Sequence, residues 1–146
     1  MNFIRKATEN DLARIAEIQI FNYRLYFYPI FKTDEYFFGD LQVPDMMKWY
    51  GENLPALWVY DDGVVKGFIM IDGTEVRRLF VEPVLHSQSI GSKLLTFAIE
   101  QYKADCLWAL EKNDRAIAFY QRHGFHKTGE RKLEEGTSEY LIRMAR

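Results

Sequence analysis

Apolar residues recur along this chain with two different periods, and the places where the period changes mark its elements. Phe3-Ile4-Arg5-Lys6-Ala7 reads as a short first strand. Thr8 with Asp11 three residues later is a capping-box start, and Leu12, Ile15, Ala16 and Ile20 follow at helical spacing. Asp34 to Asn53 reads as partly helical, with Gly39 and Pro44 as interruptions. Leu57-Trp58-Val59-Tyr60 and Val64 to Ile71 flank Asp61-Asp62-Gly63 as a hairpin, and Asp72-Gly73 turns the chain into a strand from Glu75 to Glu82. Ile90, Leu94, Leu95 and Ala98 line one side of a helix. A short apolar run, Cys106 to Leu110, predicts a buried strand, and a helix from Asn113 to His123 ends at Gly124. Phe125 to Lys132 and Ser138 to Met144 read as a closing hairpin around Glu135-Gly136-Thr137. The order is mixed α/β: an antiparallel meander, a strand–helix–strand–helix passage, then a hairpin.

Composition narrows the class. The 146 residues are 48% hydrophobic, which suits one domain spanning 1–146 with a sizeable core. Lys and Arg number 19 against 21 Asp and Glu, so the net charge of −2 offers no global attraction to nucleic acid or to an anionic membrane. The single cysteine, Cys106, has no partner for an internal disulfide and reads as a small core residue. The N-terminal residues lack the apolar stretch of a signal peptide, and no run of about 18 apolar residues occurs, so the expected location is cytoplasmic and no membrane partner is expected. The three histidines are scattered without metal-ligand spacing, so no metal is expected, and His123 and His126 read as surface residues.

Candidate chemistry concentrates in two segments. Between Val76 and Leu95 the chain runs as a strand, a stop at Pro83, a small polar loop and an amphipathic helix. Backbone N–H groups at such a helix start are a place for phosphate. Glu111 to Phe125 repeats the logic, with a strand end feeding a helix that Asn113 can cap. In this order and separation the two segments resemble the cofactor-binding core of the GNAT superfamily of acetyl-CoA-dependent N-acetyltransferases, and the resemblance extends over nearly the whole chain.

The resemblance implies a mixed, mostly antiparallel central sheet with one splayed parallel strand pair, flanked by helices. It implies acetyl-CoA as co-substrate, with its pantetheine arm against the backbone of Leu79, Phe80 and Val81 and its pyrophosphate on the loop His86, Ser87, Gln88, Ser89, Ile90, Gly91 and Ser92. Of the family's loop pattern (Gln or Arg, two residues, Gly, one residue, Gly or Ala) only Gly91 matches. His86 stands at the Gln or Arg position and Ser89 at the first Gly. A Cβ at Ser89 narrows the approach of a phosphate, while its hydroxyl can cap the helix. Asn113 is placed both to cap its helix and to contact the cofactor. Tyr120 stands at the family's usual position for the acid that hydrogen-bonds or protonates the departing thiolate, and it can equally be a half-buried packing residue.

The position of a strand glutamate that serves some members as base falls near Trp108, which leaves Glu75 and Glu111 as candidates for a base, or a water relay to a more distant group. Either glutamate can also be a solvated strand-end charge. The aromatic run from Phe21 to Phe31 lies where the family places the acceptor. Phe21, Tyr23, Tyr26 and Tyr28, with Trp49 and Tyr50, can line an acceptor site, form ordinary core, or make a homodimer face. The implied activity is acetyl transfer from acetyl-CoA to a primary amine of a small molecule or peptide, directly in a ternary complex. The alternative is a coenzyme A-binding or partner-binding module of the same fold without appreciable turnover.

Overall fold

A computed structural model describes residues 2–146. Seven strands, β1 (Ile4–Lys6), β2 (Leu57–Asp61), β3 (Val65–Asp72), β4 (Glu75–Val81), β5 (Cys106–Leu110), β6 (His126–Leu133) and β7 (Tyr140–Ala145), form one sheet in the order β1-β2-β3-β4-β5-β7-β6. Every neighbouring pair is antiparallel except β4 and β5, which run parallel. The mixed sheet with one parallel pair is the architecture expected from the sequence.

Helices cover both faces. On one side lie α1 (Leu12–Asn22) and α3 (Val43–Glu52), and on the other α4 (Ile90–Tyr102) and α5 (Asp114–Arg122). Strand β3 shows why its apolar run is unbroken. Phe68 and Met70 pack with Ile15, Ile18 and Tyr50 under α1 and α3, while Ile69 and Ile71 pack with Leu94, Leu95 and Ala98 under α4. A strand buried on both faces has no polar side to alternate with. The start of α1 is fixed by Asp11, whose carboxylate accepts from the Thr8 backbone N–H at 2.8 Å and from Arg5 at 2.8 and 3.0 Å.

The aromatic run does not end with α1. It continues through a wide π-type turn, Tyr23–Phe27, into the single turn α2 (Tyr28–Phe31), which Lys32 closes in the left-handed region at φ 58°. A second wide turn, Glu35–Asp40, buries Phe37 and leads to Leu41, and both pack with Ile20 as a small separate cluster. Three expectations need correction here. Pro44 does not interrupt a helix; it sits in the first turn of α3, where its missing N–H leaves no bond unmade. Tyr50 is fully buried core rather than site lining. Cys106 begins β5 half-buried, its thiol facing the Thr74 carbonyl; Leu107, Ala109 and Leu110 carry that strand's burial instead. Among the described residues no helix is long and apolar enough to cross a membrane.

Candidate active site

The two parallel strands separate almost at once. β4 and β5 pair only at Glu75–Cys106 and Val76–Leu107. Beyond that point β5 follows β7 as far as Leu110–Leu141, while β4 follows β3 to Val81–Gly67. The result is a wedge open toward the ends of both strands. The antiparallel register also decides which backbone groups face it. The Glu82 N–H donates to the Lys66 carbonyl at 2.9 Å, so by alternation Phe80 bonds to Phe68 and Arg78 to Met70. Leu79 and Val81 occupy the alternate positions, and their N–H and C=O groups point away from β3 into the wedge.

One of those groups already has partners. The Val81 carbonyl accepts from Asn22 Nδ2 at 2.9 Å and from His86 Nε2 at 3.0 Å. Donation from Nε2 leaves His86 Nδ1 as the acceptor for the Tyr26 hydroxyl at 3.3 Å, and the two rings stack. Burial lowers the His86 pKa, which favours this neutral form. His86 is therefore a brace between the loop base and the aromatic run.

The loop itself is a cradle. Ser87 and Ser89 both adopt left-handed backbone, at φ 71° and 67°. The first bond of α4 is donated by Lys93 to the Ser89 carbonyl, and among the described residues the backbone N–H groups from Ser87 through Ser92 have no acceptor. Unpaired amides converging at a helix start form an anion site. The Ser89 hydroxyl does not cap the helix, contrary to expectation, because the left-handed backbone of Ser89 turns it away from the first-turn amides. A Cβ at Gly91 would stand 3.4 Å from the Phe119 ring, an ordinary contact, so the packing of α4 on α5 does not itself demand glycine there. Ser92 is tied to α5, its hydroxyl 3.0 Å from His123 Nε2, so His123 packs between helices instead of standing free on the surface.

Wedge and cradle open into one cleft of about 880 Å³. Leu79, Phe80, Val81, His86, Ser87, Ser89, Ile90, Gly91, Ser92, Asn113 and Tyr120 all border it, whereas Gln88 is exposed outside it. Asn113 caps α5, accepting from the Ala116 N–H at 3.2 Å. Tyr120 is half-buried between Phe119 and Phe125, and burial pushes its pKa up to about 12.

The candidate bases separate clearly. Glu75 borders the cleft at the closed end of the wedge, its nearest basic neighbour being Arg77 at 3.8 Å. Glu111 lies outside the cleft and holds Arg131 through two bonds of 2.9 and 3.0 Å, and this pairing lowers its pKa. A carboxylate so engaged is a poor proton acceptor. Of the aromatic run, Tyr23, Tyr26, Phe27 and Phe31 border the cleft. Phe21 is exposed on the far side of α1, and Tyr28 turns outward to Asp34 and Phe38, so neither lines it.

Several cleft residues escape a reading of the sequence. Arg78 projects from β4 toward α1 and α3. Its Nη1 donates to the Tyr23 hydroxyl at 2.7 Å and its guanidinium lies 4.8 Å from the Trp49 ring centroid. Burial opposes its charge, and Tyr23, to which it is hydrogen-bonded, offsets that cost. Arg115 lies over Tyr26, and the turn after β6 brings Glu134 and Glu135 to the opposite lip. Two adjacent arginines inside a seven-residue strand are the one signal that could have found Arg78.

Residues 53–127 match the family model described as the acetyltransferase (GNAT) domain, and the chain belongs to that family. It is 30% identical over 88 residues to the peptidyl-lysine N-acetyltransferase YjaB of Salmonella typhimurium, covering 59% of this chain and 61% of that protein. It is 35% identical over 71 residues to the peptidyl-lysine N-acetyltransferase YiaC of Escherichia coli, covering 47% and 49%. The matches thus span about half to three-fifths of the curated relatives. Among solved structures, the apo form of YjaB from Escherichia coli superposes with a TM-score of 0.77 at 22% identity, covering 97% of this chain and 95% of that one. The PaiA N-acetyltransferase of Thermoplasma acidophilum in complex with coenzyme A gives 0.69 at 20% identity, covering 98% of both. These likenesses establish the fold.

Proposed function

We propose that the protein is an acetyl-CoA-dependent N-acetyltransferase that acetylates a primary amine by direct transfer. The observation that carries the reading is the run of unpaired amides from Ser87 to Ser92 at the mouth of a wedge lined by the backbone of Leu79 and Val81. A pyrophosphate suits the amides and an amide-bearing arm suits the strand edge. The family membership supports the same donor. The names of the sequence relatives support a lysine ε-amine as acceptor.

In this reading the amine, as free base, attacks the thioester carbonyl, so a C–N bond forms and the C–S bond breaks. The wedge-facing N–H of Val81 is a hydrogen-bond donor for the carbonyl oxygen as charge develops there. The departing sulfur takes a hydrogen bond from Tyr120. Burial raises the phenol's pKa, so Tyr120 is protonated when the thiolate forms and acts as a hydrogen-bond donor to it. The proton lost by the acceptor ammonium leaves through water, toward Glu75 at the far end of β4 or the acidic lip at Glu134 and Glu135.

Melting the protein with and without acetyl-CoA tests the donor. Saturation at about 100 times Kd adds about 2.7 kcal/mol, a rise of roughly 5–10 °C for a chain of this size. No shift at millimolar acetyl-CoA removes the proposal. Coenzyme A release with an amine panel then tests turnover, and a shift without release favours a binding module.

A further inference from the structure

The acceptor side of the cleft holds a cation without a counter-ion. A guanidinium carries five N–H donors. For Arg78, among the described residues, only one donor on Nη1 has a protein partner, the Tyr23 hydroxyl at 2.7 Å. Among the described residues no carboxylate stands within ion-pair distance of Arg78. Arg24, Arg115, Arg122 and Arg146 also lack one, but Arg115, Arg122 and Arg146 are exposed to solvent and Arg24 does not border the cleft. The Tyr23 hydroxyl is the hydrogen-bond partner of Arg78, and the Trp49 ring lies 4.8 Å from the guanidinium. Arg78 borders the cleft. It projects to the α1–α3 side of β4, opposite the face on which Leu79 and Val81 pack toward α4. Arg78 is thus adjacent to the wedge, and on the other side of the strand from the α4 packing face.

From this arrangement we infer that the acceptor is an amine that also carries a carboxylate, and that Arg78 binds that carboxylate through its free donors. A planar guanidinium held by a phenol hydroxyl and packed near an indole is pre-organised for a two-bond contact with a carboxylate. A neutral acceptor would leave those donors unpaired in a partly buried site, and such sites discriminate strongly. The carboxylate has two possible sources: the acceptor's own, as in a free amino acid, or an acidic residue beside the target lysine of a peptide. The inference rests on the acetyltransferase reading, and the experiment separates the two.

Coenzyme A release is measured with matched acceptors that differ only in the carboxylate. One arm compares Nα-acetyl-lysine with its carboxamide, whose distant ε-amines are matched in basicity; the other compares lysine peptides flanked by aspartate with the same peptides flanked by asparagine. In the arm that matches the natural source, the carboxylate member should have a kcat/KM about 10–100-fold higher, expressed mainly in KM. Arg78→Met, which keeps packing against Trp49, should bring that ratio near one. Arg78→Lys should retain part of the preference and stands in if the methionine variant fails to fold. Equal rates for both members in both arms, or an equal loss on both in Arg78→Met, overturns the inference. If no amine releases coenzyme A, the acetyltransferase reading fails by itself. Calorimetric binding of the same pairs to the coenzyme A-saturated protein then decides the carboxylate site, with tighter binding of the acids supporting it and equal binding overturning it.

Discussion

Ser89 holds left-handed backbone at φ 67°, at the point where the cradle meets α4, and its hydroxyl makes no capping bond. That conformation costs a residue with a Cβ about 1–2 kcal/mol. Glycine removes the strain but loses roughly 0.5–1 kcal/mol more conformational freedom on folding. No hydrogen bond is lost with the side chain, so Ser89→Gly should stabilise the protein by about 0.5–1 kcal/mol, raising Tm by about 1–4 °C. The same change removes a Cβ from the edge of an anion site, so coenzyme A should bind at least as tightly. Ser89→Ala keeps the Cβ, removes only the hydroxyl, and should match the parent in both properties. Thermal melting and calorimetric titration with coenzyme A give both numbers for the three proteins. A lower Tm for Ser89→Gly, or a tenfold loss of affinity in Ser89→Gly and Ser89→Ala alike, would refute the reasoning and make the hydroxyl itself a ligand or a brace.

Two further outcomes follow from the site and from the start of α1. Tyr120→Phe should lower kcat by about 10²-fold on a confirmed acceptor with coenzyme A affinity nearly unchanged, and the parent's rate should show no tyrosine ionisation as pH passes 10, since Tyr120 stays protonated to about 12; normal turnover of the phenylalanine variant would reduce Tyr120 to packing. Arg5 holds the Asp11 carboxyl below the usual carboxylate range against the effect of burial, so the stabilisation is fully present above the unfolded value of about 3.9 and is lost as pH falls through the lower folded value. Asp11→Asn should therefore be less stable than the parent by about 1–2 kcal/mol in urea melts at pH 7 and should converge with it below pH 3 or so, whereas a gap that persists in acid would assign the effect to packing.

The elements were legible where a local rule decides them. The turns at Asp61-Asp62-Gly63 and Asp72-Gly73, the capping box at Thr8 and the terminator Gly124 act within a few residues, and each falls where the structure has it. The splayed strands and loop came from the ordered pair of segments around Gly91 and Asn113, not from any single residue. What stayed hidden depends on contacts between distant parts of the chain. Asn22 meets the Val81 carbonyl across 59 positions and Arg78 meets Tyr23 across 55, and no periodicity carries such pairings. Ser89 misled for a different reason. Serine is a good cap in extended backbone, and only the conformation of the loop shows that the hydroxyl is turned away.

A single irregularity in β4 accounts for the division of labour in the cleft. Met70 pairs with Arg78 and Ile71 with Val76, so Arg77 is an extra residue with no partner on β3. Side chains alternate along a strand, and without that insertion Val76, Arg78 and Phe80 would share one face. With it, Val76 joins Leu79 and Val81 in the core under α4, while Arg78 and Phe80 face α1 and α3. The bulge lies just past the two pairs that hold β4 to β5, so the strand changes phase and leaves its parallel neighbour at nearly the same place. A regular strand would have to choose between burying Val76 with the α4 core and presenting Arg78 toward α1 and α3. The extra residue lets β4 do both, and it also turns the backbone amides of Leu79 and Val81 into the gap where β5 no longer takes them up.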